Sequence, residues 1–152
     1  MAKYQIALIL SLSIALAKQL EISAASFYAD EKKGQNTLSG DVIIKQDKDI
    51  LRANKVIILT NSKRKPYKYI ASGNARFEIS LDDKNYRGRG EEFVYLVEAD
   101  TYEINGKAYI EELQSGKKLY GDKISIDRKS KLYSVSSKQG APARFVFDLD
   151  ER

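Results

Sequence analysis

The adjacent carboxylates Glu91 and Glu92, the lysines and the tyrosines are what this chain could do chemistry with, because its sequence holds neither histidine nor cysteine. Those absences remove the usual zinc and copper ligands, the Ser-His and Cys-His nucleophile pairs, disulfides, and the only side chain with an unperturbed pKa near neutrality. Glu91 and Glu92 cannot share an acid/base role, since neighbours along a strand point to opposite faces. No Gly-x-x-x-x-Gly-Lys-Ser/Thr loop is present to cradle a nucleotide. The reading is therefore a non-enzymatic protein, with no catalytic residue, metal site or cofactor.

The chain has 152 residues and a formal charge of +5, with the two signs interspersed. Its one dense basic stretch is Lys63-Arg64-Lys65 with Lys68. That stretch could meet phosphate groups or an anionic membrane surface, or it is a solvated loop between strands. Ten tyrosines and a pI of 9.2 suggest a nucleic-acid binder, but mixed charge and an export signal count against one. No nucleic-acid partner is expected.

The elements that position the side chains follow a repeat. Gly40, Gly73 and Gly106 are spaced by 33 residues, and Gly140 follows after 34; such periods mark stacked supersecondary units. A second motif alternates with the first: a small residue, two polar residues and an apolar one. Its copies are Ala53-Asn54-Lys55-Val56, Gly90-Glu91-Glu92-Phe93 and Gly121-Asp122-Lys123-Ile124, with an earlier one in Ala24-Ala25-Ser26-Phe27. Period-two alternation predicts strands at 20–27, 38–46, 50–59, 69–81, 86–97, 101–113, 118–127, 132–136 and 144–149, an antiparallel meander. Residues two and four beyond each repeat glycine are apolar: Val42 and Ile44, Ala75 and Phe77, Ala108 and Ile110, and in the shifted fourth repeat Ala143 and Phe145. The intervening positions, such as Lys45, Glu78 and Glu111, face water. Phe27, Phe93, Tyr95 and Val97 belong to the apolar face as well. Such faces either close on one another as a packed sandwich or line a groove that holds something apolar.

The first residues read as an address. Lys3 is a short basic region, Ile6 to Ala17 is apolar, and Ala15-Leu16-Ala17 is a small-x-small cleavage site. Residues 1–17 are thus expected to be a cleavable signal peptide and 18–152 one β domain.

Leu38-Ser39-Gly40-Asp41-Val42-Ile43-Ile44-Lys45-Gln46, followed by Ala53-Asn54-Lys55-Val56 and, later, Gly121-Asp122-Lys123-Ile124, resembles the pattern of the OstA-like family. The resemblance covers the chain from Leu20 to the last repeat. It implies an open, twisted antiparallel β jelly roll with an apolar interior. Members stack head to tail and carry lipopolysaccharide across the periplasm, from an LptC-like protein at the inner membrane to an LptD-like protein at the outer one. It implies groove-lining roles for Leu20, Ile22, Phe77, Tyr95 and Val97, which agree with the parity; Phe27, Val42, Ile44, Phe93, Ile110 and Phe145 complete the candidate set. Arg76 and Arg144 stand beside aromatic positions and are candidate contacts to lipid A phosphates, since guanidinium suits bidentate contact. The alternatives are a membrane-anchored LptC-like partner that keeps its first 17 residues, or a structural β-repeat module with a closed core. Amino-terminal sequencing of the exported protein is expected to begin at Lys18; a start at Met1 would select the anchored alternative.

Overall fold

The computed structural model describes residues 20–138 and 141–149. The expected signal peptide and the fourth repeat glycine, Gly140, lie outside the described residues, as does the side chain of Leu20. Ten strands form one antiparallel sheet: β1 (Leu20–Ser23), β2 (Ser26–Asp30), β3 (Gln35–Gln46), β4 (Asp49–Thr60), β5 (Pro66–Leu81), β6 (Lys84–Leu96), β7 (Thr101–Glu112), β8 (Lys118–Asp127), β9 (Leu132–Ser136) and β10 (Arg144–Val146). Strands β3 to β8 pair in chain order as the expected meander. The predicted single strand 20–27 is in fact two. The chain breaks at Ala24-Ala25, so that β1 pairs with one end of β3 and β2 with the other. At the opposite edge β9 and β10 divide β8 in the same way, and the predicted 144–149 strand is only three residues long. Among the described residues nothing pairs one edge with the other, so the sheet stays open.

Gly40, Gly73 and Gly106 each fall where the ladder is interrupted. Ser39 faces Lys55 while Val42 faces Ala53, which gives β3 one residue more than β4 in that interval. Strand β5 has the same surplus over both neighbours between Ser72 and Ala75, and β7 between Asn105 and Ala108. The surplus is held as two successive left-handed residues: Gly73 at φ 77° with Asn74 at 54°, and Gly106 at 79° with Lys107 at 48°. Only glycine takes the first position without strain, and a bulge of this kind bends its strand sharply. The second motif occupies the same line on β4, β6 and β8. Ala53 and Val56 are both buried while Asn54 and Lys55 between them are exposed. Two successive outward side chains are what a strand needs when it turns over a convex corner; on β6 they are Glu91 and Glu92, which regular alternation had set on opposite faces.

The corners align into a crease that divides the sheet into two leaves. Leaf A holds β1, β10 and the halves of β3 to β8 that end at the turns 47–48, 82–83 and 113–117; leaf B holds β2, β9 and the other halves. Phe77 on leaf A and Phe93 on leaf B show how sharply the sheet folds. Gly88, the partner of Phe77, and Phe93 are five residues apart on β6, roughly 17 Å if extended, yet the Phe77 and Phe93 rings lie 4.7 Å apart. The first inner row of leaf A consists of small residues: Val42, Ala53, Ala75, Gly90, Ala108 and Gly121. Facing it, leaf B supplies larger ones, including Leu38, Val56, Phe93, Ile104 and Ile124. The fit is tight, because a Cβ on Gly90 or on Gly121 would come within 2.5 Å of Ile104 or Val135, respectively.

Two buried side chains stand on the outer face instead. Val94 packs in a row with Ile57 and Ile70 on leaf B, and Tyr109 on leaf A is only 7% exposed. Tyr109 lies between Arg89, whose guanidinium is 4.5 Å from the ring centroid, and Tyr120 at 4.9 Å, and its hydroxyl donates to Glu111 Oε1 at 2.9 Å. Burial, and then that hydrogen bond, push its pKa up to about 12.

Two outcomes are expected. Gly73→Ala forces a left-handed alanine and sets its Cβ 2.7 Å from the Cβ of Asn54, whereas Gly116→Ala at φ 73° meets nothing within 4 Å. In urea titrations the first should lose more stability than the second, within about 1–3 kcal/mol for the backbone strain alone; equal losses would remove the packing contribution. The raised pKa of Tyr109 means that its neutral form stabilises the fold at any pH below about 10, the ordinary tyrosine value. That contribution is lost as pH climbs toward about 12. Tyr109→Phe should flatten this alkaline decline in the unfolding midpoint.

Candidate functional site

Beyond the crease the two leaves diverge, and larger side chains line the space between them. The second inner row of leaf A crosses all of its strands in register: Ile22, Ile44, Leu51 and Phe77, then Gly88, Ile110, Leu119 and Phe145. Gly88 leaves room for the Phe77 ring, which lies against the place its Cβ would take. On leaf B the matching wall is aromatic, with Tyr69, Tyr95 and Tyr102 opposite one another across β5, β6 and β7. A cavity of about 250 Å³ opens between these walls at the β1 side, lined by Ile22, Ile44, Leu51, Phe77 and Ile79 on one leaf and by Tyr69, Phe93, Tyr95, Val97 and Tyr102 on the other.

Its aromatic rings form an unbroken chain. Phe77 meets Phe93, Phe93 stacks on Tyr102 at 5.6 Å, Tyr102 on Tyr95 at 4.6 Å, and Tyr95 lies 6.1 Å from Tyr69. The far end of this chain is polar. Tyr95 donates its hydroxyl hydrogen to Asp100 Oδ1 at 3.1 Å, Arg128 donates to the Tyr102 hydroxyl at 3.2 Å, and Arg128 and Asp100 pair at 3.7 Å. Burial raises the pKa of Tyr69, Tyr95 and Tyr102, so all three hydroxyls stay neutral at physiological pH. The cleft is thus an apolar slot with a hydrogen-bonding lip. Among the described residues no group of acidic side chains is gathered that could hold a metal ion.

The sequence-predicted residues distribute as follows. Ile22, Ile44, Phe77, Ile110 and Phe145 share the second row of leaf A, and Phe93, Tyr95 and Val97 line the cavity from leaf B. Val42 is 1% exposed in the tight first row, and Phe27 packs against the core from β2. Leu20 pairs through its backbone with Gln46. Phe145 is paired opposite Leu119 but is 60% exposed at the sheet edge. Arg76 and Arg144 lie on the outer face of leaf A, where Arg144 sits 4.7 Å over the Tyr120 ring. Sequence reasoning passed over Leu51, Gly88 and Leu119. Counting two residues back from the small residue of each second motif, Ala53, Gly90 and Gly121, would have found all three. The stretch Lys63-Arg64-Lys65 is a turn closed by Asn61, whose side-chain oxygen accepts from the backbone N–H of Lys63 and Lys65, with Arg64 paired to Glu31 at 3.6 Å.

Comparison with solved structures finds LptH of Pseudomonas aeruginosa, described as the LptA homologous periplasmic component of the conserved lipopolysaccharide transport device. It superposes with a TM-score of 0.74 at 19% identity, covering 85% of this chain and 94% of that one. Comparison with curated protein sequences finds no match. The likeness to LptH fixes the fold as the open β jelly roll expected from the sequence. Residues 21–132 match the family described as LptA/(LptD N-terminal domain) LPS transport protein. That stretch includes the crease, the repeats at Gly40, Gly73 and Gly106 and both walls of the cavity, and the chain belongs to that lipopolysaccharide transport family.

Proposed function

We propose that this chain is a passive periplasmic carrier that receives the acyl chains of lipopolysaccharide between its leaves and leaves the sugar head in water. The observation that carries this reading is the continuous apolar row from Ile22 to Phe145, which opens into a cavity at one end instead of closing as a core. Each buried methylene contributes about 0.8 kcal/mol, so a lipid with several chains would leave a sealed pocket very slowly. An open slot lets the lipid slide onward with similar burial throughout. At about 250 Å³ the cavity is below the ~300–1,000 Å³ of ordinary small-molecule pockets. Loading therefore requires the leaves to part, which the unpaired edges of the sheet permit.

Carriage of this kind needs no catalytic group, and the direction of flow must come from an energy source elsewhere. The edges β1 with β2 and β9 with β10 are the surfaces for head-to-tail self-association by strand addition, with an LptC-like protein and an LptD-like protein at the two ends of the row. Residues 1–17 fit this role as a cleaved export signal.

A photo-crosslinking residue at Phe77 or Tyr95 should be labelled by lipopolysaccharide, while one at Ile57 or Ile70 on the outer face of leaf B should not. Labelling at both pairs alike would sink the assignment of the cleft, and labelling at neither would favour a closed structural module.

A further inference from the structure

The outer face of leaf A carries an arrangement that the cleft does not explain. The register sets Arg52 opposite Arg76 and Arg76 opposite Arg89, on three successive strands spaced about 4.8 Å apart. Like charges directly opposite in a sheet are destabilising. Acids do not offset them here: among the described residues the arginines in ion pairs are Arg64 and Arg128, both at the turns of leaf B. Arg52, Arg76 and Arg89 are all exposed. Arg76 Nε donates to the Asn74 carbonyl at 3.3 Å, and Arg89 is braced on the Tyr109 ring. Arg87, also exposed, completes the group around a depression of about 220 Å³, whose floor includes Phe77 and Gly88 and whose rim includes Ile50 and one carboxylate, Glu78. The outer face of leaf B has no counterpart, since its Lys123 is paired to Glu103 at 3.6 Å.

We infer that this depression is a phosphate-binding site. Arg87 stands between Glu78 and Glu111 on its neighbouring strands, but among charged partners Arg52, Arg76 and Arg89 face only one another, and that surplus calls for a compact group with more than one negative charge. A phosphate monoester supplies close to two, with three acceptor oxygens, whereas a single carboxylate supplies one. Arginine forks suit such a group because they bind it bidentately. Phe77 and Ile50 border both spaces, but the arginines stand on the face of the sheet away from the cleft, so their loss leaves the cleft lining in place and the inference does not depend on what fills the cleft. The phosphate can be soluble or part of a lipid headgroup, and the chemistry of recognition is the same.

The test uses the full chain with inorganic pyrophosphate and, separately, with phosphatidylcholine vesicles with and without phosphatidic acid. Pyrophosphate should raise the thermal midpoint, as any ligand of the native state does, and Arg76→Gln should weaken binding about tenfold, with a like loss for Arg89→Gln. Without anion Arg76→Gln should melt no lower than the parent, because it removes a like-charge opposition, whereas Arg89→Gln also loses its contact with the Tyr109 ring. Lys63→Gln with Lys65→Gln should bind as the parent does. Binding of pyrophosphate alone assigns the site to soluble phosphates, and binding of the phosphatidic acid vesicles assigns it to headgroups. The site is overturned if neither binds, if the arginine variants bind unchanged, if the lysine variant loses as much, or if citrate stabilises the protein as well as pyrophosphate does.

Discussion

One surplus residue on each of β3, β5 and β7 governs the architecture. A flat antiparallel sheet of long strands would expose its apolar face along the whole length. By placing two left-handed residues at Gly40-Asp41, Gly73-Asn74 and Gly106-Lys107, the chain bends those strands at one level, and β4, β6 and β8 follow with two outward residues each. The bend brings two halves of the same face together. The small row Val42-Ala53-Ala75-Gly90-Ala108-Gly121 then becomes the seat for the large side chains of leaf B, and packing there is dense enough that a single added methyl has no room at Gly90 or Gly121.

Density falls with distance from the crease, and function follows that gradient. Next to the bend, Val56, Ala75 and Ile104 are fully enclosed and hold the leaves in register. One row farther out, side chains of the same apolar character no longer fill the space, and the aromatic chain from Phe77 to Tyr69 lines a slot that ends in hydroxyls and the Arg128–Asp100 pair. A closed sandwich and an open carrier therefore share a construction here; they differ in how far from the crease the packing continues.

Much of this was legible from residue spacing. The glycine period located the bends, and counting from each glycine gave the inner face, because two successive left-handed residues restore the alternation on the far side. Leu51 and Leu119 were hidden only because the second motif reverses parity across Asn54-Lys55 and Asp122-Lys123, so counting forward from it misses them. The split of the first strand at Ala24-Ala25 had a faint local signal, the second-motif copy Ala24-Ala25-Ser26-Phe27, which alternation alone carried through as one strand; the split follows from the bend in β3 beside it. Adjacency of Arg52, Arg76 and Arg89 was also out of reach. It depends on register across three strands, and every bulge shifts that register by one. Tyr109 shows a different limit, since parity gives its outward direction but not its cover by Arg89 and Tyr120.

The two edges of the sheet are unequal in a way that bears on kinetics. The β1 and β2 segments together are paired along most of β3, and the Ala25 amide donates to the Gly40 carbonyl at the break between them. By contrast β10 pairs with β8 over three positions, Arg144 to Val146, with Phe145, Phe147 and Leu149 all exposed. Local opening free energy falls toward segments with few buried contacts, so the carboxy-terminal edge is the low-barrier end of the molecule. Opening there leaves the crease intact, because the bends lie in β3, β5 and β7, so the sheet can fray from one side while its folded centre holds.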